Sequence, residues 1–166
     1  MRIIFSPKDR KIGGSLLLFV LLQILTYVLF ANDWLAARVV QELAIDGGMP
    51  KGFVLLGPVL RGELSLSLAR ALEEELFRRG YPVLKRKEEI PPENRIYGDT
   101  RAGERVIAGY RNGCDLSLQT RTLLPGVIFA SYGFYTGPAG AWGVSRVFVW
   151  CLGTWIPVWA SPPVRA

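Results

Sequence analysis

The chain has 166 residues, of which 50% are hydrophobic and 20% charged, with a net charge of +6 and no histidine. That length suits one domain, and a mean hydropathy of +0.25 is too apolar for a disordered chain and high for an ordinary soluble one. The absent histidine excludes Ser-His-Asp and Cys-His catalysis and histidine-ligated haem, and it leaves zinc only Cys, Asp and Glu as ligands.

The hydrophobic excess is concentrated in residues 12–31 and 123–160. The first run, IGGSLLLFVLLQILTYVLFA, is 20 uncharged residues. As a helix it covers the ~30 Å hydrocarbon layer at ~1.5 Å per residue, with its backbone satisfied internally. Leu16, Phe19, Leu22, Leu25, Tyr27, Phe30 and Trp34 are the expected anchor residues, the last as an interfacial aromatic. Arg2, Lys8, Arg10 and Lys11 precede the run against Asp9 alone, which predicts a cytoplasmic N-terminus. The expected location is a bacterial inner membrane, with the remainder in the periplasm. A cleaved signal peptide is the competing reading. The apolar run exceeds the ~7–15 residues of a signal core, and Leu35-Ala36-Ala37 is only a weak cleavage candidate.

Asn32-Asp33 offers a cap for a separate juxtamembrane helix, with Leu35, Val39 and Leu43 on one face and Gly47-Gly48 as its stop. The predicted organisation is a basic cytoplasmic tail (1–11), a transmembrane helix (12–31), a juxtamembrane helix (32–48) and a periplasmic α+β domain (49–166). In that domain, residues 53–60 read as a buried strand frayed at Pro58. Residues 63–79 read as an amphipathic helix carrying Leu64, Leu68, Leu72 and Leu76, with Glu74–Arg78 and Glu75–Arg79 pairs and a stop at Gly80. A further strand starts at Tyr81. Residues 85–104 are polar, contain Pro91-Pro92, and read as a surface loop. Asn112-Gly113 predicts a two-residue hairpin between strands 105–111 and 114–121, with Cys114, Leu116 and Leu118 facing the core.

Residues 123–160 carry four of the five tryptophans and one charge, Arg146. Gly137-Pro138, Gly140, Gly143, Gly153 and Pro157 interrupt the run too often for clean membrane spans, so strands are expected. The fold class is therefore α+β, with one amphipathic helix on a mostly antiparallel sheet. The aromatic surplus reads partly as core and partly as a surface for a partner. Trp142, Phe148, Trp150, Trp155 and Trp159 are the expected partner-binding residues.

Cys114 and Cys151 are candidates for a disulfide in an oxidising compartment. A Ser/Lys peptidase is the hydrolase class left open without histidine, but Ser65 and Ser67 lie on the amphipathic helix and Lys51 and Lys85 have no argued geometry toward them. No catalytic, cofactor-binding or metal-binding residue is assigned, and no cofactor is expected. Basic residues are scattered among acidic ones, without the aromatic-and-basic stripe of a single-strand binder, so nucleic acid is not an expected partner.

Four segments carry a family resemblance: AARVVQELA (36–44), GFVLLGP (52–58), SLARALEEELFRRGYPVL (67–84) and GPAGAWGVSR (137–146). Together they resemble the TrbH conjugal-transfer proteins of type IV secretion systems. Members of that family are typically lipoproteins, whereas here an apolar helix stands at the N-terminus. The resemblance implies a non-catalytic subunit of an envelope-spanning channel, with other protein subunits and the lipid bilayer as partners. The alternatives are an accessory subunit of a respiratory or photosynthetic membrane complex, and the Ser/Lys peptidase.

Overall fold

A computed structural model describes residues 7–57, 65–138, 140–151 and 153–165, with side chains from residue 15 onward. The frayed strand end at Pro58, the first residues of the expected amphipathic helix (63–64), Ala139 of the PAGAW segment and the basic side chains before residue 12 lie outside the described residues. The chain is a mixed α+β protein with one long apolar N-terminal helix and a sheet.

Helix α1 runs unbroken from Pro7–Ile45. The expected boundary at Asn32-Asp33 does not form. Asn32 instead reaches sideways, its Nδ2 donating to Ser67 Oγ at 2.9 Å. The helix ends as its glycines predict: Gly48 takes φ +68°, and Met49 N–H donates to Leu43 O at 3.0 Å.

Strand β1 is Phe53–Leu55. Helix α2, Leu66–Arg78, follows, with Ser65 as N-cap accepting from Leu68 N–H. Its apolar face, Leu68, Ala69, Ala71, Leu72 and Leu76, is buried. Glu75 is buried with it and is clamped by Arg78 and Arg79, each at 2.6 Å. Arg78 therefore turns to Glu75 rather than to the expected Glu74. Strand β2, Val83–Leu84, then pairs parallel to β1.

The remaining strands are β3 (Arg95–Asp99), β4 (Arg105–Tyr110), β5 (Gly113–Leu124), β6 (Val127–Gly137), β7 (Gly140–Cys151), β8 (Thr154–Ala160) and β9 (Val164–Arg165). The main sheet has the order β2-β1-β5-β6-β7-β8, and β9 also pairs with β7. From β5 to β8 every pairing is antiparallel. Strands β3 and β4 form a separate two-stranded sheet.

Two expectations about the middle of the chain are corrected. Residues 85–104 are not all loop: two short 3-10 turns lead into β3, and Ile90 is buried with Phe53, Leu55 and Tyr110. Asn112-Gly113 does not make a hairpin, because β1 takes the edge of β5 that a hairpin partner would need. The two chains meet there too closely for side chains. A Cβ on Gly52 would stand 2.2 Å from Asn112 O, and one on Gly113 would stand 2.6 Å from the Phe53 ring. The hairpin turn falls instead at Pro125-Gly126, where Gly126 takes φ +76°.

One face of the sheet packs on both helices. Cys114, Leu116, Leu118, Ile128, Ala130, Tyr132, Phe134, Trp142, Val144, Phe148, Trp150 and Trp155 share a single core with Leu35, Ala36, Val39, Val40 and Leu43 of α1 and the apolar face of α2. Pro157 lies in β8, the edge strand, where a missing N–H is tolerated.

Candidate functional site

Helix α1 divides into two halves. Residues 15–30 are mostly apolar and exposed, from Leu16, Phe19, Leu22 and Leu25 to Phe30, with Gln23, Thr26 and Tyr27 half-buried. From Ala31 onward one face is buried. By length and composition the helix from Ser15 to Ile45 could cross a membrane, as a signal sequence near an N-terminus also could, and mean hydropathy over its most apolar window reaches 2.1. The second half is the domain's central core helix. One continuous helix thus carries both an exposed apolar half and the domain's central core face.

Three contacts fix the packed half along β7. At the C-terminal end, Gly47 lies against Phe134 and Trp142, where an added Cβ would stand 3.0 Å from either ring. In the middle, Glu42 is buried on the apolar face and meets the sheet. Its carboxylate accepts from Tyr132 Oη and from Arg146 Nε, both at 2.5 Å, and from Arg38 Nε at 2.9 Å. Burial first, and then the hydrogen bond to Glu42, push the Tyr132 phenol above its ordinary pKa. Burial opposes the Arg146 charge, but Glu42 and Tyr132 outweigh it and hold the guanidinium above its usual value. At the N-terminal end, Trp155 Nε1 donates to the Ala31 carbonyl at 2.7 Å. Tyr27 meets Trp150 and Trp155 edge-on, with ring centroids 5.8 and 5.9 Å apart. Helix α1 and β7 therefore run antiparallel, and the β7–β8 turn lies where the helix leaves the domain.

The aromatic residues expected to bind a partner sit largely inside this seat. Trp142, Phe148, Trp150 and Trp155 are buried, and only Trp159, at 51% exposure, faces outward. Their surface is met by the chain's own helix. Of the expected anchor residues, Leu16, Phe19, Leu22, Leu25, Phe30 and Trp34 are exposed, whereas Tyr27 is half-buried against the tryptophans. The Glu42–Tyr132–Arg146 cluster was not anticipated from the residues. Its signals were a carboxylate, Glu42, set among Leu35, Val39 and Leu43, and the single charge of residues 123–160, Arg146.

Cys114 and Cys151 are both free, and the disulfide is not formed. Asp115 is opposite Tyr135, and Tyr135 is opposite Ala141, so Cys114 is level with the start of β7 while Cys151 ends it. At ~3.3 Å per residue the two are roughly 30 Å apart. Burial, and then Asp115, push the Cys114 thiol up to about 12 from 9.0. An alkylating reagent at pH 8 is expected to modify only Cys151 in the folded protein and both thiols after denaturation, as mass spectrometry would report. Modification of neither thiol before reduction would restore the disulfide.

The raised thiol pKa also sets a direction for alkaline stability. The stability gained by keeping Cys114 neutral is fully present below about pH 9, and it is lost as pH rises toward 12. Tyr110, pushed up to about 12 by burial and then by Asp115, acts in the same sense. The denaturation midpoint is expected to fall above about pH 9, and to fall less steeply in Cys114→Ala. Equal slopes would contradict this.

Ser65, Ser67 and Lys85 each have a partner outside a Ser/Lys pair. Ser65 caps α2, Ser67 accepts from Asn32, and Lys85 pairs with Glu73 at 3.3 Å. Lys51 is exposed beyond the end of α1. Among the described residues no cluster of three or more His, Cys, Asp or Glu could hold a metal ion. No family model, no curated protein and no solved structure matches this chain.

Proposed function

We propose that this protein is a non-catalytic, membrane-anchored scaffold or accessory subunit of an envelope-spanning complex, with its N-terminus cytoplasmic and its domain periplasmic. The observation that carries the reading is the continuity of α1 from the exposed apolar half into the core. Cleavage at Leu35-Ala36-Ala37 would cut inside a packed helix and take Leu35 and Ala36, both buried, toward or out of the core. Retention of the helix is therefore part of the fold's stability, and the domain is held at a fixed position on its anchor. The buried aromatics serve that attachment rather than a partner.

The resemblance to the TrbH family supplies the setting, a type IV secretion or conjugation apparatus. In-frame deletion of the coding sequence from a conjugative donor tests it directly. The expected result is loss of transfer by orders of magnitude, restored by the full chain, with the protein migrating in detergent among other transfer subunits. Undiminished transfer, or co-migration with cytochromes or pigments, would contradict the assignment and favour the respiratory or photosynthetic alternative.

A further inference from the structure

The outward face of the main sheet changes character along its length. Across strands β5 to β8, the outward row just inside the Cys151–Thr154 pair at the β7–β8 turn is Val127, Val149 and Ile156, and the next is Arg121, Phe129, Val147 and Trp159. Beyond them the facing residues become Gln119, Ser131 and Ser145, and then Ser117, Gly133 and Gly143. The apolar rows therefore occupy only the end from which α1 emerges. Leu123 and Leu124, at the β5–β6 turn, and Ile156 and Val158, on the edge strand, are exposed there. The Trp150 backbone N–H donates to Gly126 O at 2.8 Å, which places that turn beside the β7–β8 end.

The helix arithmetic points to the same end. The tryptophans at this end touch Tyr27, so the domain begins before the apolar run finishes at residue 31. From residue 12 to Tyr27 a helix rises only about 23 Å at ~1.5 Å per residue. That is short of the ~30 Å hydrocarbon layer. With the full run embedded, Tyr27 and the sheet end beside it fall within the membrane boundary. The two rows lie about 7 Å apart along the strands at ~3.3 Å per residue, within the ~5–10 Å depth at which amphipathic surfaces settle into the headgroup–acyl boundary.

We infer that the helix-proximal end of the sheet is itself seated in the bilayer that α1 spans. Leu123, Leu124, Val127, Val149 and Ile156 lie among the upper acyl chains. Arg121, exposed opposite Phe129, reaches the headgroup phosphates. The occupant of this surface is phospholipid, continuous with the layer around the helix. The inference rests on the membrane-spanning reading of α1 and adds a second contact, which fixes the domain's tilt as well as its distance.

The test uses the full chain reconstituted in phosphatidylcholine–phosphatidylglycerol vesicles. Cys151, exposed at the β7–β8 turn, carries an environment-sensitive fluorophore while Cys114 stays buried. A second preparation, Lys51→Cys with Cys151→Ser, places the label beyond the opposite end of the packed helix. Lipids bearing a nitroxide near the headgroup are expected to quench the Cys151 label at least twofold more than the Lys51 position. The Leu124→Glu, Ile156→Glu variant is expected to lose most of that difference while remaining in the vesicles. Equal quenching at both positions, in protein that resists an alkaline wash, would overturn the seating and leave the span intact. Unchanged quenching in the double variant would likewise overturn it. Release by the alkaline wash would overturn the span itself.

Discussion

Glu42→Ala is expected to destabilise the folded domain by about 3–5 kcal/mol, the usual cost of removing one partner from a buried ion pair. Arg146, with 19% of its side chain exposed, would be left facing the core without its carboxylate, and Tyr132 Oη would lose its acceptor. The effect comes from the groups left behind, not from a large intrinsic gain in forming the pair. The triple variant Glu42→Leu, Tyr132→Phe, Arg146→Met removes all three polar groups together and is expected to recover most of the loss. Guanidinium unfolding of the full chain in detergent, followed by tryptophan fluorescence, provides the comparison. A Glu42→Ala midpoint within experimental error of the parent would contradict this role for the cluster, as would a triple variant no better than the single.

Trp155→Ala is expected to cost a similar amount, about 3–5 kcal/mol, as for other large aromatic truncations in a core. Trp155 is 4% exposed and fills the corner between Tyr27 and Trp150, whose ring centroid lies 5.3 Å away. Its indole N–H also ties β8 to the Ala31 carbonyl. Trp155→Phe keeps much of the ring packing and loses that hydrogen bond, so its cost should be nearer 1–2 kcal/mol. The two variants differ also in where they loosen the protein. Removing the ring should free the helix where it leaves the domain, so limited proteolysis of Trp155→Ala is expected to cut near Ala31 before the sheet opens. Cutting first within β5–β7 would show that the tryptophan supports the sheet rather than the anchor.

The parts of the fold that were legible in the sequence are those fixed by local periodicity and punctuation. The leucines of α2 recur at helical spacing, Ser65 caps it, and Gly80 at φ +82° ends it. The apolar run at the N-terminus announces a helix by length alone. The strands of residues 123–160 follow from β-branched and aromatic content broken by glycine. What the sequence concealed was set by competition between distant segments. Asn112-Gly113 carries a strong hairpin signal, but the parallel pairing of β1 with β5 is made by residues some sixty positions earlier and takes the same edge. Asn32-Asp33 resembles a cap, yet Leu35, Ala36 and Val39 bury the helix through that point, and the packing keeps it continuous. The tryptophans read partly as a surface because nothing in the sequence places the second half of α1 over them. Pairing Glu42 with Arg146 required knowing that helix and strand run side by side.

Whether a single helix is both the membrane segment and the domain's core is decided by peptide analysis of alkaline-washed membranes. Trypsin cuts after Lys11 and Arg38, so a retained anchor yields the peptide of residues 12–38 from the membrane pellet. That peptide is expected at the same abundance as peptides from β5 to β7. A product whose sequence starts at Arg38, recovered in the wash with residues 12–37 missing, would contradict it.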